Sequence, residues 1–154
     1  MELASILAPG AIRASVHATS KKRVLQILGE IAEDRLDLPA AATVAALCAR
    51  EQLGPTGVGH GVAIPHARME GLTGIVGAFL RLEEPVEFGA VDRRPVDLVF
   101  GLFAPAGSGA EHLKALAAVS RALRDKAACA KLRANDDPQV LHAILTDRGL
   151  LAAA

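Results

Sequence analysis

Apolar positions in this chain follow two different periods, and the places where one gives way to the other divide it into elements. Residues 11–17 alternate loosely between apolar and polar and predict a first strand, ending at the polar Ala18-Thr19-Ser20. From Ser20 the spacing becomes helical, with Val24, Leu25, Leu28, Ile31 and Ala32 on one face. Pro39 suits the start of a second helix that turns Val44, Leu47 and Cys48 inward. Gly54-Pro55 predicts its stop, a left-handed cap followed by a residue that cannot continue the helix. Residues 73–82 and 96–103 are long apolar runs with few polar interruptions. They predict strands covered on both faces, hence central in a layered α/β domain, with Asp92-Arg93-Arg94-Pro95 turning between them.

Beyond the second long run, Ser108 and Glu111 have the spacing of a capping box. Leu113, Leu116, Ala117, Ser120 and Leu123 continue the stripe of the helix it would open. Shorter helices are expected near 127–134 and 138–147, the latter opened by Asp137-Pro138. The expected fold class is α/β, a mixed β-sheet flanked by helices in one domain spanning 1–154, with its core at about 4–147.

Composition narrows the field of functions. With 51% hydrophobic and 22% charged residues the chain is globular in character. Seventeen Lys and Arg balance seventeen Asp and Glu, which argues against nucleic acid as the main partner. The basic run Arg121, Arg124, Lys126, Lys131, Arg133 is interrupted by Asp125 and reads as a solvated helix face. Cys48 and Cys129 sit in Ala- and Leu-rich helical segments without metal-type spacing, and read as small buried apolar residues in a reducing compartment. Glu2 stands where a secretion signal would carry basic residues, and no stretch has the length of a membrane span. Cytoplasmic location without membrane insertion is the expectation.

Candidate chemistry concentrates in residues 57–68, Gly-Val-Gly-His-Gly-Val-Ala-Ile-Pro-His-Ala-Arg. A glycine-rich turn leads into the apolar Val62-Ala63-Ile64, which stops at Pro65 and delivers His66. Proline has no N–H for a central ladder position and holds its predecessor extended, so the strand should end there or lie on an edge. His66 is then presented outward at the mouth of a sheet. His112 falls in the first turn of its helix, where free N–H groups favour an anion and disfavour an imidazolium.

Residues 56–66 resemble the active-site segment of enzyme IIA proteins of the phosphotransferase system, of the fructose/mannitol type and nearest to its nitrogen-regulatory branch. Flanking segments agree in order: Ser20-Lys21-Lys22-Arg23, Ala49-Arg50-Glu51, Arg94-Pro95-Val96-Asp97-Leu98, His112-Leu113-Lys114-Ala115-Leu116 and Leu132-Arg133-Ala134. The resemblance implies a mixed sheet flanked by helices and reversible phosphoryl transfer through histidine. It places His66 at the phospho-acceptor, His112 at the second active-site histidine, Arg50 near the phosphate and Thr56 at a hydroxyl position. His60 stands where relatives vary and is given no chemistry.

These residue types suit that work. Imidazole offers a neutral nucleophilic nitrogen and also leaves readily, as a carrier that accepts and donates must. Arg50 supplies a planar fork for two phosphoryl oxygens, and glycines 57, 59 and 61 would admit backbone N–H groups to an anion. No cofactor or metal is needed, and Gly-Lys-Ser/Thr of a nucleotide P-loop is absent. A zinc site on His60, His66 and His112 is disfavoured by the unusual spacing and the lack of an adjoining acid or cysteine. Duller readings stand for the rest: Arg50 also complements a helix end, His17 and His142 read as exposed, and Asp97 as structural.

The expectation is therefore a stand-alone phosphocarrier. It would take its phosphoryl group from an HPr-like carrier protein and regulate target proteins in nitrogen or carbon metabolism or ion transport. The alternative is a sugar-specific enzyme IIA of the same type, passing phosphate to an enzyme IIB. The absence of a permease or second phosphotransferase domain in these 154 residues favours regulation.

Overall fold

A computed structural model describes residues 1–147. After a single 3₁₀ turn, Leu3–Ser5, come strand β1 (Leu7–Val16) and helices α1 (Lys21–Arg35) and α2 (Ala40–Leu53). Three short strands follow, β2 (Gly57–Gly59), β3 (Val62–Ala63) and β4 (His66–Met69), then the long β5 (Val76–Val86) and β6 (Val96–Pro105). Helices α3 (Ala110–Leu123), α4 (Lys126–Arg133) and α5 (Pro138–Thr146) complete the described chain. The six strands form one mixed sheet in the order β1-β5-β6-β3-β2, with β4 also paired to β6.

The two apolar runs are the two central strands, and they are antiparallel to each other. Their side chains alternate between two cores, as the period of a strand requires. Leu80, Val99 and Phe103 face α1 and α2, where they meet Leu25, Leu28, Ile31 and Leu47. Phe79, Leu98, Phe100 and Leu102 face the other way, against Val119 and Ala122 of α3, Leu132 of α4 and Leu141 of α5. The sheet is thus a middle layer covered on both sides, which explains why these runs carry so few polar residues. Close approach of α1 to α2 depends on Gly29, since a Cβ there would lie 2.5 Å from Val44.

Most local expectations hold. Ser20 caps α1 by accepting from the Arg23 N–H, and Val24, Leu25, Leu28, Ile31 and Ala32 are all buried. The last two helices fall within a residue of their expected ends. Some details differ: β1 begins at Leu7 rather than Ala11, and β5 runs from Val76 to Val86 rather than over 73–82. Gly54 ends α2 with φ 156° and ψ 148°, an extended glycine-only conformation rather than a left-handed helical cap. The capping box does not form: Gly109 is the N-cap of α3, Ser108 donates to the Pro105 carbonyl, and Glu111 pairs with Lys114. Ser108 sits one residue too early because the turn after β6 takes its hydroxyl first. His142 is half-buried rather than exposed, with Nε2 3.0 Å from the Leu7 carbonyl of β1.

Candidate active site

Strands β3 and β4 lie one after the other along the same edge of β6. Val62 and Ala63 pair with Leu98 and Val99, and His66 resumes the ladder opposite Leu102. Ile64-Pro65 is the kink between them. Pro65 therefore interrupts the edge strand without ending it, and His66 is the first residue of β4 rather than a residue beyond the sheet. Because paired residues on parallel strands share a face, His66 follows Leu102 toward the α3 layer. Its ring is half-buried, not fully presented to solvent.

Two hydrogen bonds fix the imidazole. Nδ1 lies 2.8 Å from the Ile64 carbonyl oxygen, which only accepts, so Nδ1 carries the proton. Nε2 then keeps its lone pair, and the Nε–H of Arg50 donates to it at 3.1 Å. The Ile64 carbonyl is available because Ile64 is turned away from β6: its N–H donates to the Thr56 carbonyl at 3.0 Å, and the Pro65 carbonyl accepts from Leu102 of β6 at 2.9 Å. Arg50 itself is braced in the last turn of α2, where Nη1 donates to the Gly54 carbonyl at 2.9 Å. His112, in the first turn of α3, meets His66 edge-on with ring centroids 5.4 Å apart. It is 4% exposed, and its Nδ1 is buried with no partner among the described residues.

Both rings are held below the ordinary imidazole pKa. For His66 burial is the main cause; the Ile64 carbonyl opposes it, and the charge of Arg50 adds to it. For His112 burial again leads, followed by the charge of His66 and then that of Arg68. Two neutral imidazoles beside two guanidinium groups make a pocket ready for an incoming anion.

The structure thus brings His66, His112 and Arg50 together. Thr56 goes elsewhere: its hydroxyl and its N–H both donate to Glu51. The glycines of the turn do not line the ring either. Gly59 pairs with Val62, and His60 and Gly61, with φ 56° and 78°, are the two-residue turn of a hairpin joining β2 to β3. Among the described residues no group of three His, Cys, Asp or Glu side chains is placed to hold a metal ion.

Two residues at the site were not singled out from sequence. Arg68 shares a face of β4 with His66, and its Nε–H donates to the Ser108 carbonyl just before α3 at 3.0 Å. The two-residue spacing from His66 would have found it, had residue 66 been read as opening a strand. Glu51, whose side chain is 7% exposed, receives the Lys21 ammonium as well as both donors of Thr56. This carboxylate ties α1, the end of α2 and the entry to β2 into one support behind Arg50. No period or motif marks it; only the tertiary contact does.

Comparison with known proteins agrees with the fold. The family model "Phosphoenolpyruvate-dependent sugar phosphotransferase system, EIIA 2" matches residues 5–148. The nitrogen regulatory protein of Bradyrhizobium diazoefficiens is 45% identical over 145 residues, covering 94% of this chain and 95% of that protein. The nitrogen regulatory protein of Escherichia coli K12 is 43% identical over 148 residues, 96% of this chain and 91% of that protein. The crystal structure of nitrogen regulatory protein IIA-Ntr from Neisseria meningitidis superposes with a TM-score of 0.86 at 38% identity, covering 92% of this chain and 97% of that one. Matched along nearly all of its length by the family model and by relatives of one name, the chain belongs to the type 2 enzyme IIA family of the phosphotransferase system, in its nitrogen-regulatory branch.

Proposed function

We propose that this protein is a phosphohistidine carrier which accepts a phosphoryl group on Nε2 of His66 from an HPr-like carrier and hands it on or holds it as a signal. The observation that carries this reading is the pair of contacts on the two ring nitrogens, which select one tautomer. The Ile64 carbonyl keeps the proton on Nδ1, so the lone pair of Nε2 faces Arg50 and the approach to the ring.

In the forward step Nε2 attacks phosphorus, the N–P bond of the donor breaks, and the electron pair returns to the donor imidazole. The new N–P bond leaves a positive charge shared around the His66 ring, stabilised through Nδ1–H and the Ile64 carbonyl. Arg50 gives up its bond to Nε2 and turns the same donor to a phosphoryl oxygen. Arg68, exposed and sharing His66's face of β4, adds a second cation. Catalysis of this kind is positioning and charge stabilisation, and needs no further group from the protein. His112 packs edge-on against the ring and adds a donor for the transferred group. Leu53 and Leu113, 84% and 65% exposed, adjoin the helix ends that supply Arg50 and His112 and offer the donor carrier an apolar rim.

Phosphorylation adds about 1.5 to 2 negative charges at this mouth, enough to change which target protein docks there. The ratio of the two forms would report nitrogen or carbon status. Incubation with phosphoenolpyruvate, enzyme I and HPr-like carrier tests the proposal. Wild-type protein should gain the mass of one phosphoryl group, assigned by NMR to Nε2, and His66→Ala should gain none. An undiminished gain in His66→Ala sinks the carrier reading, and prompt onward transfer to one sugar's enzyme IIB would replace regulation by sugar uptake.

A further inference from the structure

A second charged cavity opens far from His66, and the proposed phosphoryl carrier has no use for it. It encloses about 850 Å³ between the turn of the β2–β3 hairpin, the start of β6, the end of α3 and one side of α4. Asp97 on its wall and Leu102 beside His66 are both on β6, roughly 16 Å apart at the usual rise of a strand. The volume lies within the range of sites that take small organic molecules.

The lining has an unusual charge balance. Arg94, Arg124 and Lys126 reach it from three separate segments, the turn before β6, the end of α3 and the start of α4. Among the described residues none of the three forms an ion pair. Asp97 is the sole acid among the described lining residues, and its carboxylate is already occupied. Nε and Nη2 of Arg133 donate to it at 2.9 Å, and Nη2 also donates to the His60 carbonyl at 2.8 Å. Asp92, near Arg94, turns its carboxylate to the backbone N–H groups of His60 and Arg94. The chain as a whole is neutral, with seventeen cationic and seventeen anionic side chains, so general basicity does not account for three cations without an ion pair around one cavity; the carboxylates beside them, Asp92 and Asp125, accept from backbone N–H groups. Between them the wall is apolar, formed by Val58, Pro85, Pro95 and Leu123.

We infer that this cavity is a binding site for a phosphorylated small molecule with a flat apolar body, of the nucleoside diphosphate class. The three free cations would take the phosphates, and the two prolines with Leu123 would cover the base. Arg133 is the wall and not the hook: it is committed to Asp97, and a Cβ on Gly61 would lie 2.5 Å from its Nη2, so the turn is moulded around it.

Titration calorimetry and amide NMR with ADP test the inference, with pyrophosphate and adenosine as its two halves. ADP should bind saturably and shift amides at Gly59, Gly61 and Leu123. Pyrophosphate should bind more weakly, and adenosine alone not measurably. R94Q/R124Q/K126Q removes three exposed charges and should weaken ADP by more than about tenfold with an unchanged circular dichroism spectrum. Ser120→Glu, which adds a negative charge to the α3 wall without removing a cation, should weaken it as well. His66→Ala should bind ADP as wild type does, so this result is independent of whether His66 carries phosphate. Absence of saturable ADP binding overturns the inference. So does equal affinity in the triple variant, loss of binding in His66→Ala, or pyrophosphate binding as tightly as ADP.

Discussion

Arg50 and Arg133 stand at opposite ends of the same stretch of sheet edge, and their partners differ in one respect. Arg133 meets the carboxylate of Asp97 through two nitrogens and also holds the His60 carbonyl, so its charge is cancelled. Arg50 holds a backbone carbonyl too, from Gly54, but its second partner is the neutral Nε2 of His66. The nearest acid in sequence, Glu51, is taken by Lys21 and Thr56. A guanidinium with a carboxylate fastens structure. One left with an imidazole keeps its charge for something that arrives later.

Breaking each arginine's arrangement should produce opposite signatures. The largest effect is expected for Arg50→Ala, which should slow phosphoryl uptake on the order of a hundredfold, the scale of losing one preorganised donor at a reacting centre. Its urea midpoint should hardly move, and Arg50→Lys should recover little, because a point charge cannot replace the fork. A falling midpoint with an unchanged transfer rate would reduce Arg50 to a helix-end residue.

Asp97→Asn reverses the pattern. The pair is partly open, with side-chain exposures of 37% for Arg133 and 22% for Asp97, so its loss falls between the surface and buried cases. A decrease of about 1–2 kcal/mol in unfolding free energy is expected, read from urea denaturation. Phosphoryl uptake should stay within about twofold, since no reacting group touches Asp97.

His112→Ala should slow transfer by about tenfold and lower the urea midpoint less than a truncation in the apolar core would, because removing the unpartnered buried Nδ1 offsets part of the packing lost. Quench-flow phosphorylation separates the two readouts. The smallest effect is the pH dependence of stability. Both imidazoles have folded pKa values below the ordinary 6.5, so the unfolded chain binds protons first as the solution is acidified. Stability contributed by the neutral rings is therefore complete above the unfolded value and declines as pH falls through it toward the lower folded values. The double variant His66→Gln/His112→Gln should show a flatter urea-midpoint profile between pH 7.5 and about 5.

Strand β6 and helix α1 were legible from pattern alone, because each buries one continuous set of apolar positions and nothing competes with that period. The site was legible only in part. His66 and Arg50 are conspicuous residue types at conspicuous places, a proline kink and a helix end. At the kink the sequence leaves two readings, an end or an edge, and β4 takes the second, because a proline's missing N–H does not say whether the ladder resumes. Restarting β4 on the same edge needs β6 to be longer than β3, which residues 62–69 do not encode. The capping box failed for a related reason, since Ser108 has two backbone partners within reach and only the turn decides between them. Glu51 and the charged cavity are assembled from segments remote in sequence, so no local spacing announces them.

The hydrogen bond that Arg50 donates to Nε2 has a last effect. It caps the one lone pair of the ring able to react, so in the idle protein small electrophiles meet a blocked nitrogen. In the proposed transfer, a ligand that offers the guanidinium something better than imidazole, namely the oxygens of a phosphoryl group, would uncover the nucleophile in the act of binding. Selectivity for the right reagent would then be built into the resting state itself.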